Sequence, residues 1–408
     1  MVIISTLLIL LLALNLFVLL NPTMRATALY AAGLLCIMAA SSSLIPSEDS
    51  ALAVTVRVVG VGLMILSALQ CSWSRHELEK SERRKGTRRL LLTSVLPIFF
   101  LIGAATIPHS RWDIFWPYAA GAFVLAMAVV ATVSVSPTVL TNALMSALTL
   151  VVVGSLVAGL LSPSTGVEGG RLRGLFENAN SLGYFAFLLG AVALLTSRDL
   201  KVKLLLLVPV TVVLGWTGSR AATLALAVVI SLMILFRMRA SQLIAAGLSF
   251  SVLLLAIRLS PELLVPFKTL LRANNSRELS WMTFLETLSN HPSFGIGMGQ
   301  EVSFVASSPL RAAVVAGMVG LFLIALTYLG MLVFSSTYGA MTFTFASAAV
   351  VHSLFEGWLL SPISPLTLVY CVCWWVIASN ELRSRSLLTG GQPIAAFKGH
   401  RRADVIYR

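Results

Sequence analysis

Six arginines sit in or beside the polar segments of an otherwise apolar chain: Arg171, Arg173, Arg220, Arg272, Arg277 and Arg311. A guanidinium presents a planar fork of N–H donors that matches phosphate oxygens in two-point contacts, whereas a lysine ammonium is a point charge. Arg173, Arg220, Arg272, Arg277 and Arg311 are therefore the candidate ligands for a phosphate or pyrophosphate. The competing account of each is snorkelling to lipid headgroups or pairing with nearby acids. Arg171 and Arg173 lead into Gly174-Leu-Phe-Glu-Asn-Ala-Asn-Ser. Here Asn178 and Asn180 either cap a helix, as polar residues at helix starts do, or hydrogen-bond sugar hydroxyls. Histidine's unperturbed pKa lies near neutrality, which makes His291 a candidate general base; its alternative is to cap a turn before Pro292. Glu356, in His352-Ser-Leu-Phe-Glu-Gly-Trp, either pairs with an arginine or activates an acceptor hydroxyl.

Composition dictates what must hold these residues. Of 408 residues, 58% are hydrophobic and 11% charged, against about 45–50% and about 25% in soluble domains. So few charges cannot cover a globule of this size in water. That excludes a soluble enzyme, a disordered chain and a solenoid with a polar face. Runs of about 20 apolar residues span a hydrocarbon core at 1.5 Å per residue. They recur near 2–20, 24–45, 51–73, 90–107, 114–134, 139–161, 179–197, 201–217, 221–236, 241–259, 311–334, 338–359 and 364–380. The fold class is therefore all-α, a polytopic transmembrane bundle of 12–13 spans. The first run lacks a basic start and a small-residue cleavage site, so it reads as a retained helix.

The net charge of +13 has to be read by position. With thirteen spans, 19 of the 29 basic residues fall on one side, in the loop 74–90, the connections near 198–203 and 237–239, the tail, and at Arg25. That side is expected to be cytoplasmic, with the C-terminus there. Ten of the 16 acids face the other way. So do nine basic residues, eight of them arginine, with Lys268 the exception. Arginine against the usual charge bias favours a phosphate site, and no nucleic-acid partner is expected. The chain divides into N-terminal helices (1–161) with the basic loop 74–90, a region 162–380 that includes the long outer segment 260–311, and a basic tail (381–408). Within the long segment, Glu278–Leu288 reads as a short amphipathic helix.

Gly295-Ile-Gly-Met-Gly follows no buried strand and opens no nucleotide fold; it reads as a tight turn where backbone meets a helix or ligand. The histidines are scattered, so no metal cluster and no cofactor is expected. Cys36, Cys71, Cys371 and Cys373 lie in apolar runs and read as core residues. Trp281 and Trp358 suit interfacial anchoring, with stacking on sugar as the alternative.

The order of motifs resembles that of the bacterial O-antigen ligase and polymerase superfamily. Arg173-Gly-Leu-Phe-Glu-Asn-Ala-Asn is similar to that family's Arg-Gly-x-Phe-x-Asn-Pro-Asn, and Thr217-Gly-Ser-Arg-Ala-Ala to its Ser-Arg-Gly/Ala hairpin. His291-Pro-Ser-Phe-Gly-Ile-Gly-Met-Gly resembles its Pro-x-x-Gly-x-Gly-x-Gly; Gly317-Met-Val-Gly-Leu and Phe355-Glu-Gly-Trp-Leu also fit. The resemblance covers about 171–360. It implies a glycosyltransferase C-like helical architecture and metal-independent transfer of glycans from a polyprenyl-pyrophosphate-linked oligosaccharide donor to a glycan or lipid-linked acceptor. The place implied is the outer face of the bacterial plasma membrane. Arg220 would match the hairpin arginine on the donor pyrophosphate, and Arg272 or Arg277 a second one. One feature departs: the ligases' His-Asn pair, about eleven residues before the glycine matching Gly317, is replaced by Ala306-Ser-Ser-Pro-Leu-Arg. His291 or Glu356 then substitutes as base, or the chain is polymerase-type, or it is a non-catalytic member of an assembly complex. A transporter or flippase of lipid-linked glycans is the rival from another class.

Overall fold

The computed structural model describes residues 22–40, 50–72, 80–197, 199–236, 277–300, 305, 307–361 and 364–388. Among these, the helices in chain order are α1 (Pro22–Ala39), α2 (Ser50–Ser72), α3 (Lys80–Leu90), α4 (Leu96–Thr106), α5 (Trp112–Ser134), α6 (Pro137–Leu161), α7 (Ala179–Thr196) and α8 (Leu200–Thr217). They continue with α9 (Arg220–Leu235), α10 (Arg277–Asn290), α11 (Ser308–Tyr338), α12 (Ala340–Phe355) and α13 (Pro365–Leu388). Eight of the described helices are long and apolar enough to cross a membrane, and three shorter apolar ones accompany them. These eleven coincide with expected spans; the other two, 2–20 and 241–259, lie outside the described residues. The chain is thus an all-α, multi-pass membrane protein.

The bundle is built around α7 and α13, the two spans most enclosed by protein. α7 packs against α6, α8, α9 and α13. Outer helices turn large apolar side chains outward, such as Leu150, Leu160, Phe123 and Leu205. Such faces suit lipid, because acyl chains solvate them as water does not. Helix contacts use small residues where backbones touch: a Cβ on Gly33 would lie 2.6 Å from the Gly60 carbonyl oxygen, and one on Gly60 2.7 Å from that of Gly33. Close approach of this kind maximises dispersion between helices that gain little from the hydrophobic effect in lipid. Polar ties also join helices across the bundle. The buried hydroxyls of Tyr30 and Thr132 meet at 2.7 Å, and the Ser67 hydroxyl donates to the Ala26 carbonyl at 2.8 Å. None of the four cysteines forms a disulfide; three are buried and one is half-buried, as core residues would be.

Three features differ from the sequence reading. Residues 80–90, expected as part of a basic loop, are helical and run through a π-helical turn (Leu91–Val95) into α4. Lys, Arg and Glu are good helix formers, and Glu82 and Lys85 pair one turn apart at 2.6 Å. In the segment 162–178, where the sequence assigns no element, a helical turn (Pro163–Gly166) leads into a two-stranded ribbon, β1 (Val167–Glu168) and β2 (Arg171–Leu172). Its turn, Gly169-Gly170, has positive φ at both residues, the conformation that two-residue hairpins need. Trp358, finally, is no surface anchor. It is 2% exposed, its indole N–H donates to His352 Nδ1 at 2.9 Å, and it packs on Tyr184 and Tyr370.

The glycine-rich turn explains the longest helix. α11 breaks at Ala316–Gly317, where Gly317 has φ +59°. Residues 292–298 fill the gap. Ile296 and Gly297 donate their N–H groups to the carbonyls of Val314 and Val315 (2.9 and 3.2 Å), and the Met318 N–H donates to the Pro292 carbonyl (2.8 Å). Backbone groups freed inside a bilayer must find such partners. Gly295, Gly297 and Gly299 all have positive φ, and a Cβ on Gly295 would strike the α11 backbone. The turn therefore meets a helix. Gly317→Ala, with its Cβ 2.5 Å from the Pro292 carbonyl oxygen, is expected to cost about 2–4 kcal/mol of stability. Thermal unfolding in detergent reads this, and a midpoint equal to wild type would show that the break tolerates a side chain.

Candidate functional site

A chain of side-chain bonds joins five elements at the end of the bundle that carries the β-ribbon. The Arg171 guanidinium donates through Nε to the Thr217 carbonyl at 2.6 Å and through Nη2 to Asn180 Oδ1 at 2.7 Å. Asn180 in turn donates from Nδ2 to Glu356 Oε1 at 3.0 Å. The Glu356 carbonyl accepts from the Ser308 hydroxyl at 2.7 Å, and that hydroxyl accepts from the Leu359 N–H at 3.1 Å. Arginine from the ribbon, amide from α7, carboxylate from the end of α12 and serine from the start of α11 are thereby fixed relative to one another. Thr217 ends α8, whose C-cap Gly218 is left-handed. Arg171 therefore places its charge at the negative end of a helix dipole, where a cation is favoured.

Local sequence explains each placement. Gly166 packs back to back with Gly159, and a Cβ on Gly174 would strike Ser155. The segment flanking the ribbon therefore packs on α6, and β2 lies against α8, which sets Arg171 beside that helix. Gly183 in α7 does the same for the 217–220 turn: a Cβ there would lie 2.5 Å from that of Ser219. That close approach buries Ser219 beneath the turn; its hydroxyl has no hydrogen-bond partner among the described residues. Arg220 follows it as the first residue of α9, exposed, and makes no hydrogen bond or ion pair with another described residue. A free guanidinium thus projects from the turn whose preceding carbonyl Arg171 holds.

The expected site residues divide accordingly. Asn180 and Glu356 are brought together. Asn178 is a helix cap, its Oδ1 accepting the Asn180 N–H at 2.8 Å. Arg173 is turned to the rim, donating to the Thr165 carbonyl at 2.8 Å and to Glu168 at 3.3 Å. Arg311 is half-exposed near the start of α11 and lines a small cleft with Ser308, Met298 and Leu360. His291 is exposed beyond the end of α10. Its carbonyl accepts the Gly295 N–H at 3.1 Å, and its ring has no partner among the described residues, so it stands outside the chain of bonds. Arg277 opens α10. Arg272 lies outside the described residues. Selecting Arg173 over Arg171 passed over the arginine that the ribbon points inward; the signal for it was the Gly169-Gly170 pair, a hairpin turn in two letters. Ser308 and Thr217 carried no comparable mark.

No protein-family model matches the chain, and no curated protein matches it.

Asn180→Leu removes both the acceptor for Arg171 and the donor to Glu356, leaving two half-buried charges short of a partner. It is expected to lower stability by about 2–4 kcal/mol, whereas Arg173→Gln, on the rim, should shift the thermal midpoint far less. Equal shifts for the two variants would mean that the bond chain holds nothing together.

Proposed function

We propose that the chain is a membrane glycosyltransferase of the polymerase or ligase type, acting on a polyprenyl-pyrophosphate-linked oligosaccharide at the membrane face that carries the β-ribbon. The observation that carries the reading is Arg220, which pairs with no other described residue, on a turn held by Arg171, with the Glu356 carboxylate tied to the same framework through Asn180. Motif order supports it independently: the O-antigen ligase and polymerase superfamily resembles this chain at these same positions, 173–180, 217–222 and 355–359.

In the proposed reaction an acceptor sugar hydroxyl attacks the anomeric carbon of the donor. The new C–O bond forms as the bond to the pyrophosphate oxygen breaks, and polyprenyl pyrophosphate departs with the electron pair. Negative charge grows on that leaving group, and Arg220, with Arg311 and the loop arginines Arg272 and Arg277, offsets it; fixed donors aimed at developing charge lower a barrier most in a water-poor site. The hydroxyl proton passes to Glu356, the carboxylate already oriented by Asn180, or to His291. Oriented as the basic residues favour, this face is extracytoplasmic and the C-terminus cytoplasmic.

One observation favours a second reading. The break in α11 is a discontinuous helix of the kind transporters place at a substrate site, which suits a flippase of lipid-linked glycans. Against it, the freed backbone groups are occupied by residues 292–298 rather than left for a ligand.

Purified protein in liposomes with lipid-linked oligosaccharide separates the two, since a new glycosidic linkage marks transfer and movement without it marks transport. Arg220→Ala is expected to lower product formation roughly a hundredfold, with Arg220→Lys intermediate because a point charge replaces the fork. Wild-type product from a stably inserted Arg220→Ala protein would overturn the assignment of this arginine. Glu356→Gln separates the two bases: it should abolish transfer if Glu356 accepts the proton and spare it if His291 does.

A further inference from the structure

At the opposite end of the bundle, α3 carries a second arginine cluster that the transfer reaction does not use. Arg83, Arg84 and Arg88 line one cavity of about 570 Å³, whose other walls are Thr87, Leu91, Leu92, Val133 and Ser134. At 100° per residue, positions 83, 84, 87, 88, 91 and 92 share one face of a helix. The opposite face is committed to the bundle. A Cβ on Gly86 would strike the Trp375 ring, and the Arg89 guanidinium lies 4.7 Å from the Tyr338 ring centroid. Trp375 and Tyr338 therefore clamp α3 in rotation and leave the other three arginines together on the outside. None of the three makes an ion pair or side-chain hydrogen bond with a described residue, and Arg83 Nε is buried without a partner. The neighbouring acid, Glu82, is already bound to Lys85.

Depth adds the decisive constraint. The continuous helix Ser81–Thr106 has 26 residues, about 39 Å at 1.5 Å per residue, whereas the hydrocarbon core is about 30 Å thick. With the apolar stretch beginning at Leu90 seated in the core, Arg83, Arg84 and Arg88 stand at the level of lipid phosphates. The pocket then presents guanidinium forks at headgroup height above an apolar floor of Leu91, Leu92 and Val133. That combination matches a molecule with a multiply charged phosphate head and acyl chains. We propose that this pocket binds an anionic phospholipid whose headgroup carries two phosphates, and that it does so independently of the glycan-transfer site.

The test uses full-length protein in neutral detergent, titrated with cardiolipin, phosphatidylglycerol or phosphatidylcholine and read by native mass spectrometry. Cardiolipin should bind tightest and phosphatidylcholine not at all. Each arginine near a membrane surface contributes on a scale of about fivefold in affinity, so the triple variant R83Q/R84Q/R88Q should lose on the order of a hundredfold. Lys85→Gln removes one charge from the same helix at a position that does not line the pocket, and should leave binding close to wild type. Inorganic pyrophosphate should compete only weakly, because it lacks the chains. Equal loss in Lys85→Gln, no loss in the triple variant, or full competition by inorganic pyrophosphate would each overturn the proposal. Transfer activity of the triple variant in phosphatidylcholine liposomes should remain at the wild-type level, so failure here is distinguishable from failure of the transferase reading.

Discussion

Asn180 stands between a cation and an anion and satisfies both, because an amide is an acceptor at one end and a donor at the other. Its oxygen accepts the Arg171 N–H and its own N–H donates a hydrogen bond to Glu356. A carboxylate at this position would face Glu356 with like charge, and a cation would face Arg171. Through this one amide, the ribbon, α7 and the end of α12 are set at fixed spacing. The turn that presents Arg220 is fixed in the same way, since Arg171 also holds the carbonyl of Thr217. The arrangement at this end of the bundle rests on that pair of bonds in surroundings where water offers little competition.

The two ends of the molecule use arginine differently. At the ribbon end, Arg171 and Arg173 are spent on protein partners, and Arg220 is presented by a scaffold they help to hold. At the basic end, Arg89 stacks on aromatic rings while Arg83, Arg84 and Arg88 line a pocket on the other side of α3. A guanidinium suits both uses, as a rigid fork and as a flat, weakly hydrated cation. Which use a given arginine serves depends on the face it occupies, and a face is a property of the folded element.

That dependence marks what was legible in the sequence. The spans were, because about 20 apolar residues in a row admit few structures besides a buried helix. So was the helix of residues 277–290, although its outcome is instructive. Ser280 and Thr287 are buried and Phe284 packs against Leu310 and Val314 of α11, while Trp281, Met282 and Leu285 are exposed. Asn178 and Asn180 were recognised as a pair, yet only the helix start separates cap from bridge. Trp358 reads as an interfacial residue from its place near a span end. It is buried because α13 and α7 bring Tyr370 and Tyr184 to it from far along the chain. Long-range pairings of this kind leave no local trace. Arg171 is the intermediate case, decided by the two-residue Gly169-Gly170 turn.

The break in α11 has a mechanical corollary. Val314 and Val315 on one side of the gap, and Met318 and Val319 on the other, are bound by the same short stretch, residues 292–297. That stretch also reaches α4, where the Met298 N–H meets the Ala105 carbonyl at 2.9 Å. It acts as a wedge that cannot be withdrawn singly: removing it would strand backbone dipoles on two faces of the gap within a fatty medium. The first piece of α11, the turn and the tip of α4 are consequently locked to one another by backbone bonds, and the same piece of α11 carries Ser308, whose hydroxyl holds the Glu356 carbonyl.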